Sequence, residues 1–395
     1  MPAVCLYFQV HQPPRLRTFN VFEPTPHYFD NDRNRQILQR VTHKCYLPAT
    51  DLLAKLIRVH QGRFRVAFCL TGSVVEQMRQ WEPALVERFR SLADTGCVEF
   101  LNETYHHSLA SVYDLNEFRE QVAMHRQMVE ELFGYTPTVF RNTELIYDNR
   151  LAETITSLGG YRGILAEGVD RVLAGRPVNR MYRPPVGPLK LMLKNYRLSD
   201  DIAFRFCDQS WSQWPLTAEK FAGNVRRADG ELCNLFMDFE TFGEHQWPET
   251  GIFEFLAKLP EVLLAEGHSF VTPGEAMERL EARDVYDAPE PTSWADSERD
   301  LSAWAGNAMQ TTAIHDLYQL AERVKHTHDA ALISDWRKLT TSDHLYYMCT
   351  KYFADQAVHK YFNPYESPYD SYINFVNVLE SVRTRAEDAE VKQAS

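Results

Sequence analysis

Short, nearly unbroken apolar runs recur along this chain, each followed by a stretch carrying helix signals. They are Val4–Val10, Phe64–Leu70, Cys97–Leu101, Thr138–Phe140, Gly163–Ala166, Leu189–Leu193 and Leu232–Met237, with a weaker run at Ser269–Val271. A strand that is apolar on both faces needs cover on both faces, which is the mark of a parallel sheet lying between helices. The segments between the runs supply that cover. Pro48 suits the first turn of a helix running to His60, with Gly62 after it. Asn116 is the expected N-cap of a helix over Glu117–Phe133, stopped by Gly134, and Gly251–Ala265 ends at Gly267 in the same way. Such alternation over roughly the first 280 residues predicts an α/β barrel or a large doubly wound sheet.

The pattern then changes. Asp287–Pro291 (DAPEP) reads as a linker, and no convincing strand follows it. Asp300–Trp336, Ser342–Asp355 and Tyr369–Asp388 carry helical patterns, separated by the Pro-containing stretch Tyr361–Pro368. Two domains are therefore expected, an α/β domain over 1–285 and a helical domain over 286–395.

Charge and composition narrow the function. Lys and Arg number 42 against 54 Asp and Glu, a net charge of −12, which argues against a protein that grips a phosphate backbone. No nucleic-acid partner is expected. No run of about 18 apolar residues is present, so no membrane span is expected. The first residues, MPAVCLYF, lack the basic start and cleavage site of a signal peptide. The seven cysteines are odd in number, scattered and without a C-x-x-C pair, so neither a disulfide framework nor a zinc ribbon is expected. These features point to a reduced, cytoplasmic setting.

In α/β barrels the chemistry sits on loops at the C-terminal ends of the strands, and unusual polar residues fall there. His11-Gln12-Pro13 follows the first run, Thr71-Gly72 and Glu76 the second, and Glu103, His106 and His107 the third. Arg141-Asn142-Thr143-Glu144 follows the fourth, and Asp238-Phe239-Glu240 closes Leu232–Met237 and leads into Glu244 and His245. Two carboxylates, Glu144 and Asp238, are embedded in apolar strand ends. Desolvation there raises a carboxyl pKa, which suits a general acid, whereas a nearby cation such as Arg141 holds its partner ionised as a nucleophile. Two such groups about 5–5.5 Å apart support a retaining double displacement at a sugar carbon.

These residues resemble the ordered motifs of glycoside hydrolase family 57. His11-Gln12-Pro13 is similar to the first motif and Gly72-Ser73-Val74-Val75-Glu76 to the second. Arg141-Asn142-Thr143-Glu144 is similar to the third, Met237–His245 (MDFETFGEH) to the fourth and Thr341-Ser342-Asp343-His344 to the fifth. Ser293–Asp296 and Trp304–Asn307 extend the likeness over most of the chain. Many members have a Pro before the third-motif Glu, where this chain has Asn142-Thr143, a departure that bears on the shape of the sugar subsites. The resemblance implies an incomplete (β/α)7 barrel followed by a helical region that helps wall the site. It implies Glu144 as nucleophile and Asp238 as acid/base, with His11, Glu76, His107, Trp211, Trp304 and Asp343 as sugar contacts. It implies an α-1,4-glucan as substrate; no cofactor and no metal-binding residues are expected. Hydrolysis of the α-amylase type is the leading expectation and 4-α-glucanotransfer the next. Branching ranks lower, for want of a C-terminal extension to hold a second glucan.

Other readings compete at single residues. His106 and His107 are adjacent and point apart on a strand, and His326 and His328, at i and i+2, do not share a helix face, so neither pair suggests a metal site. Without a convincing His-x-x-x-His pair, a metal-dependent sugar deacetylase ranks behind the glycosidase. A glucan-binding protein without chemistry is the remaining alternative. Glu240, Glu244 and His245 are expected to support the site or touch sugar. Of 7 Trp, 19 Tyr and 23 Phe, most should fill the core, while Trp211, Trp304 and Trp214 should face the cleft.

Overall fold

The longest apolar run becomes the central strand. In a computed structural model of the protein, which describes residues 1–23, 25–351 and 363–394, β1 spans Ala3–Val10. It runs parallel to β2 (Val66–Leu70) on one side and to β8 (Leu232–Asp238) on the other. β3 (Val98–Phe100) continues the sheet beyond β2, and the two-residue β9 (Ser269–Phe270) pairs with the start of β1. A second sheet has the order β10-β6-β7-β5-β4. It contains β4 (Val139–Arg141), β5 (Gly163–Glu167), β6 (Met181–Arg183), β7 (Lys190–Lys194) and β10 (Asp284–Val285). Among the described strands of this sheet, β6 and β7 pair antiparallel and the other pairings are parallel.

Bonds at both edges join the sheets. Beyond β3, Asn102 donates to Val139 O and accepts from Arg141 N, and beyond β7, Asn195 N donates to Asn234 O of β8. The strand period of two then sorts the side chains. Cys5 and Tyr7, Ala67 and Cys69, Val139, Leu165, Met192 and Phe236 meet in one core shared by strands of both sheets. Their neighbours Val4, Leu6, Phe8, Val66, Phe68, Cys233 and Leu235 point the other way, into a layer with the helices. Each large apolar side chain so covered contributes roughly 1.5–3 kcal/mol relative to exposure.

The helices begin where side chains cap them. Asp30 accepts from Arg33 N at the start of the helix Asn31–Val41, which a π-helical turn (Thr42–Tyr46) joins to the helix Leu47–Val59, with Pro48 in its first turn. The N-cap of the helix Leu115–Phe133 is Asp114 rather than Asn116, because the Asp114 carboxylate accepts from both Asn116 N and Glu117 N at 3.0 Å. Gly134 (φ +77°) ends that helix as expected.

The C-terminal pattern is more broken than the sequence suggested. Asp300–Trp336 divides into helices Ser302–Ala305, Ala308–Gln319, Ala321–His326 and Ala330–Leu339. Asn307 and Asp329 each cap a new start with a side-chain acceptor. Of the expected helix Ser342–Asp355, the described residues 342–351 are α-helical over Ser342–Tyr346; 352–355, like Tyr361, lie outside the described residues. The last helix runs longer than expected, over Pro368–Ala394. This helical part is not set apart from the sheets: Phe140, Ile164 and Leu193 share one apolar cluster with Trp304, Trp336 and Val378. No helix among the described residues is long and apolar enough to cross a membrane. All seven cysteines are free thiols, and all but Cys207 are buried.

After β8 the chain turns sharply at Gly243, where φ is +110° and a Cβ would stand 2.0 Å from Lys44 O. Only glycine fits there. Gly243→Ala is expected to lower stability by about 2 kcal/mol or more, read as a lower urea midpoint.

Candidate active site

The loops after β1, β4 and β8 and the start of the helical part meet around one cleft of about 360 Å³. Its lining includes His11, His107, Glu144, Asp238, His245, Trp304 and Asp343, so residues from 11 to 343 are brought together as the sequence analysis expected. A volume of this size matches a small-ligand pocket.

Glu144 sits on a turn beyond β4, itself in the left-handed region (φ +56°), as is Leu145 (φ +51°). Non-glycine residues are rarely held there, and the turn is braced. Asn142 donates to Ile146 O at 3.0 Å and to Ser111 Oγ at 2.9 Å, and Thr143 and Thr104 hydroxyls meet at 2.8 Å. The Asn-Thr pair that departs from the usual third motif therefore fixes the turn that presents Glu144.

Both oxygens of Glu144 are held. His107 Nε2 lies 2.8 Å from Oε1, and Trp294 Nε1 donates to Oε2 at 2.6 Å. The other ring nitrogen of His107 is 3.0 Å from Glu103 Oε2. Glu103 also accepts from Gln9 at 2.8 Å. Against the desolvation of a buried ring, these two carboxylates raise His107 to about 9, so it is an imidazolium at neutral pH. Burial opposes ionisation of both carboxylates, but His107 and Arg141 outweigh it: Glu103 falls to about 2 and Glu144 is lowered as well. Arg141 is fully buried, 3.7 Å from Glu103 and 4.9 Å from the Trp294 ring, its guanidinium without a hydrogen-bond partner among the described residues. It acts as a fixed positive charge under the turn, the role the sequence analysis assigned to a nearby cation.

Asp238, at the end of β8, has the opposite environment. Burial raises it, the Glu144 charge raises it further, and Arg141, Lys194 and His107 only partly offset this, leaving it at about 6. One cleft thus holds an ionised carboxylate beside one that retains its proton in mild acid.

The remaining residues divide clearly. His11 bridges Thr71 Oγ1 and Asp343 Oδ2, each at 2.9 Å, and stacks on His107 with ring centres 4.2 Å apart. Burial and the His107 charge push His11 down and keep it neutral. Ser342 N donates to His107 O at 2.9 Å, fastening the helical part to the β3 loop, so that Asp343, Tyr346, Tyr347 and Trp304 form a wall. Burial lowers His245 to about 4, also neutral.

Glu76 is not in the cleft. It lies on the helix Gly72–Trp81, turned toward the Tyr105 hydroxyl (3.1 Å) and Lys338 (3.8 Å). Nor is Trp211, which packs on the outer core beneath Arg205, 5.6 Å from its ring, and Trp214 is exposed away from the cleft. His106 turns away from His107 to Ser73, and His326 bonds the Glu322 carbonyl.

Trp294, Lys194 and Arg299 were not singled out as site residues from sequence, and Glu103 was placed at a strand end without a role. Trp294 lies in the Ser293–Asp296 segment of the family likeness, 150 residues from the carboxylate it holds. Among the described residues, the group with metal-ligand chemistry is Cys69, Glu103 and His125. It is buried, and both ring nitrogens of His125 are engaged, with Asn102 Oδ1 (2.7 Å) and Leu70 O (2.8 Å), so it reads as a hydrogen-bonded core.

Comparison with known proteins gives the family. The sequence profile described as Glycosyl hydrolase family 57 matches residues 5–289. A Methanocaldococcus jannaschii protein named "Putative alpha-amylase" is 42% identical over 387 residues, 94% of this chain and 82% of that one. The fold is similar to that of the branching enzyme from Pyrococcus horikoshii (TM-score 0.68, 13% identity, 95% of this chain and 88% of that one). It is also similar to that of the 4-α-glucanotransferase from Thermococcus litoralis (TM-score 0.62, 14% identity), where 87% of this chain spans 54% of the larger protein. The chain belongs to glycoside hydrolase family 57 and is a glycoside hydrolase.

Proposed function

We propose that this enzyme is a retaining hydrolase of α-1,4-glucans, of the α-amylase type, with Glu144 as nucleophile and Asp238 as acid/base. The observation that carries the reading is the opposed shift of two carboxyls facing one cleft: Glu144 held ionised by His107, Arg141 and Trp294, and Asp238 raised to about 6 by burial and by Glu144 itself, so that it keeps its proton in mild acid. In the first step Glu144 attacks the anomeric carbon while Asp238 gives its proton to the departing glycosidic oxygen. The resulting glycosyl ester is opened by water, which loses a proton to the Asp238 carboxylate. His11, His107, His245, Trp304 and Asp343 line the same cleft and are the proposed sugar contacts.

The scaffold we propose is an incomplete (β/α)7 barrel over 1–285, walled by a helical domain over 286–395. The bonds of Asn102 and Asn195 between the two sheets and the core they share support it. Buried free thiols favour a reduced, cytoplasmic setting. A neutral glucan needs no basic steering, which fits the net charge of −12.

Maltoheptaose tests the reaction. Hydrolysis yields only shorter oligosaccharides, resolved by chromatography. Products longer than the input would replace water by a sugar acceptor and make the enzyme a 4-α-glucanotransferase.

A further inference from the structure

The carboxyl two residues beyond the acid/base is not used by the mechanism above. Glu240 is 6% exposed and lines the cleft beside Asp238. One of its oxygens is tied back into the fold. Tyr46, from the π-helical turn, donates its hydroxyl hydrogen to Glu240 Oε1, and Gln12 Nε2 lies 3.5 Å from both Oε1 and the Tyr46 hydroxyl. Gln12 is itself fixed, since Gln77 donates to its carbonyl at 2.8 Å and Arg15 to its side-chain oxygen at 3.1 Å. Among the described residues the bonds from other side chains all go to Oε1, which leaves Oε2 as the oxygen turned to a ligand.

The location says which group. The acid/base touches the glycosidic oxygen, so the departing sugar lies on its side of the bond. Asp238 is raised by the Glu144 charge and in turn raises Glu240, so the three carboxyls are close enough to couple. Glu144 is held by residues after β3 and β4 and by Trp294, whereas Glu240 is held by residues after β1 and on the π-helical turn. Glu240 is therefore anchored from a different side of the cleft than the nucleophile.

Resting on the double displacement proposed above, we infer that Glu240 is a specificity-determining residue that binds a hydroxyl of the leaving-side sugar through Oε2, with Tyr46 and Gln12 as its positioning residues. Burial, reinforced by the Asp238 charge, lifts Glu240 to about 8, so at neutral pH it carries its proton. A protonated carboxyl both donates and accepts, the pattern a sugar hydroxyl requires. The same contact would hold an acceptor sugar in the second step, so this residue bears on the competition between sugar and water.

The test compares two substrates. Maltoheptaose leaves as a sugar, while α-maltosyl fluoride leaves as fluoride and puts nothing against Glu240. The ratio of kcat/KM for maltoheptaose to that for the fluoride is expected to fall about tenfold in Glu240→Ala. In Glu240→Gln it should stay within about threefold of the wild-type ratio, because the amide oxygen can accept from Tyr46 and its NH2 can face the sugar. Tyr46→Phe, which keeps the ring and loosens the carboxyl, should lower the ratio about threefold, and decides the matter if Glu240→Ala does not fold. An equal loss on both substrates in Glu240→Ala, or no change of ratio in Tyr46→Phe, overturns the inference, as does failure of Glu240→Gln to restore it. Glu144→Gln in the same fluoride assay keeps the two readings apart. If that variant still turns over the fluoride, the nucleophile assignment fails; if it is inactive and the Glu240 ratios are flat, only this inference fails.

Discussion

Glu144→Gln is expected to lower kcat on malto-oligosaccharides about 10⁴-fold or more, with folding intact. The amide keeps the volume of the carboxyl and can still accept from Trp294, yet it cannot form a glycosyl ester. The loss should be as large on α-maltosyl fluoride, because a better leaving group does not replace an absent nucleophile. Circular dichroism and the urea midpoint would verify the fold. A destabilisation is not expected from loss of the charge alone: His107 would lose one of its two carboxylate partners and fall from about 9 towards neutrality, while its bond to Glu103 remains.

Asp238→Asn is expected to behave differently. Removal of a general acid lowers the rate about 10²–10⁴-fold for a sugar leaving group. Fluoride departs without a proton, so kcat/KM on α-maltosyl fluoride should fall far less than on maltoheptaose. The wild-type pH profile follows from the same proton. The acid works only when protonated, so kcat/KM on maltoheptaose should decline above about pH 6, tenfold per unit, as Asp238 ionises. The nucleophile works only when ionised, and because Glu144 is held below the ordinary carboxylate range, the acid limb should lie lower still. On the fluoride the alkaline decline should vanish. If the decline persists at the same pH with fluoride, the group titrating there is not the acid that serves the leaving group.

What the sequence disclosed follows from what each element has to do. β1, β2, β7 and β8 are buried on both faces and so announce themselves as unbroken apolar runs, although β7 lies one residue later than Leu189–Leu193 suggested. β6 and β10 have three and two residues, too few for any period to register. The helix Asn31–Val41 was missed because only Asn34, Leu38 and Val41 are buried in a run otherwise rich in Asn, Gln and Arg.

The site shows the same division. Residues next to strand ends, such as His11, His107, Glu144 and Asp238, were placed by chain position alone. Glu76 and Trp211 could not be, because a side chain four residues into a helix, or in a long turn, takes its direction from packing: Tyr105 draws Glu76 aside and Arg205 covers Trp211. Trp294 is the converse case. It follows a segment that reads as a linker, and only the tertiary fold carries it to Glu144, where backbone (Trp294 N to Glu144 O, 3.1 Å) and indole bonds secure it.

The central claim is that Glu144 becomes covalently glycosylated. Incubation with 5-fluoro-α-D-glucosyl fluoride, which slows the second step, followed by mass spectrometry of the digested protein, tests it directly. The account predicts one added 5-fluorohexosyl mass on the peptide containing Glu144, absent when Glu144→Gln is treated in the same way. A label on Asp238, or turnover with inversion at the anomeric carbon and no label at all, would contradict it.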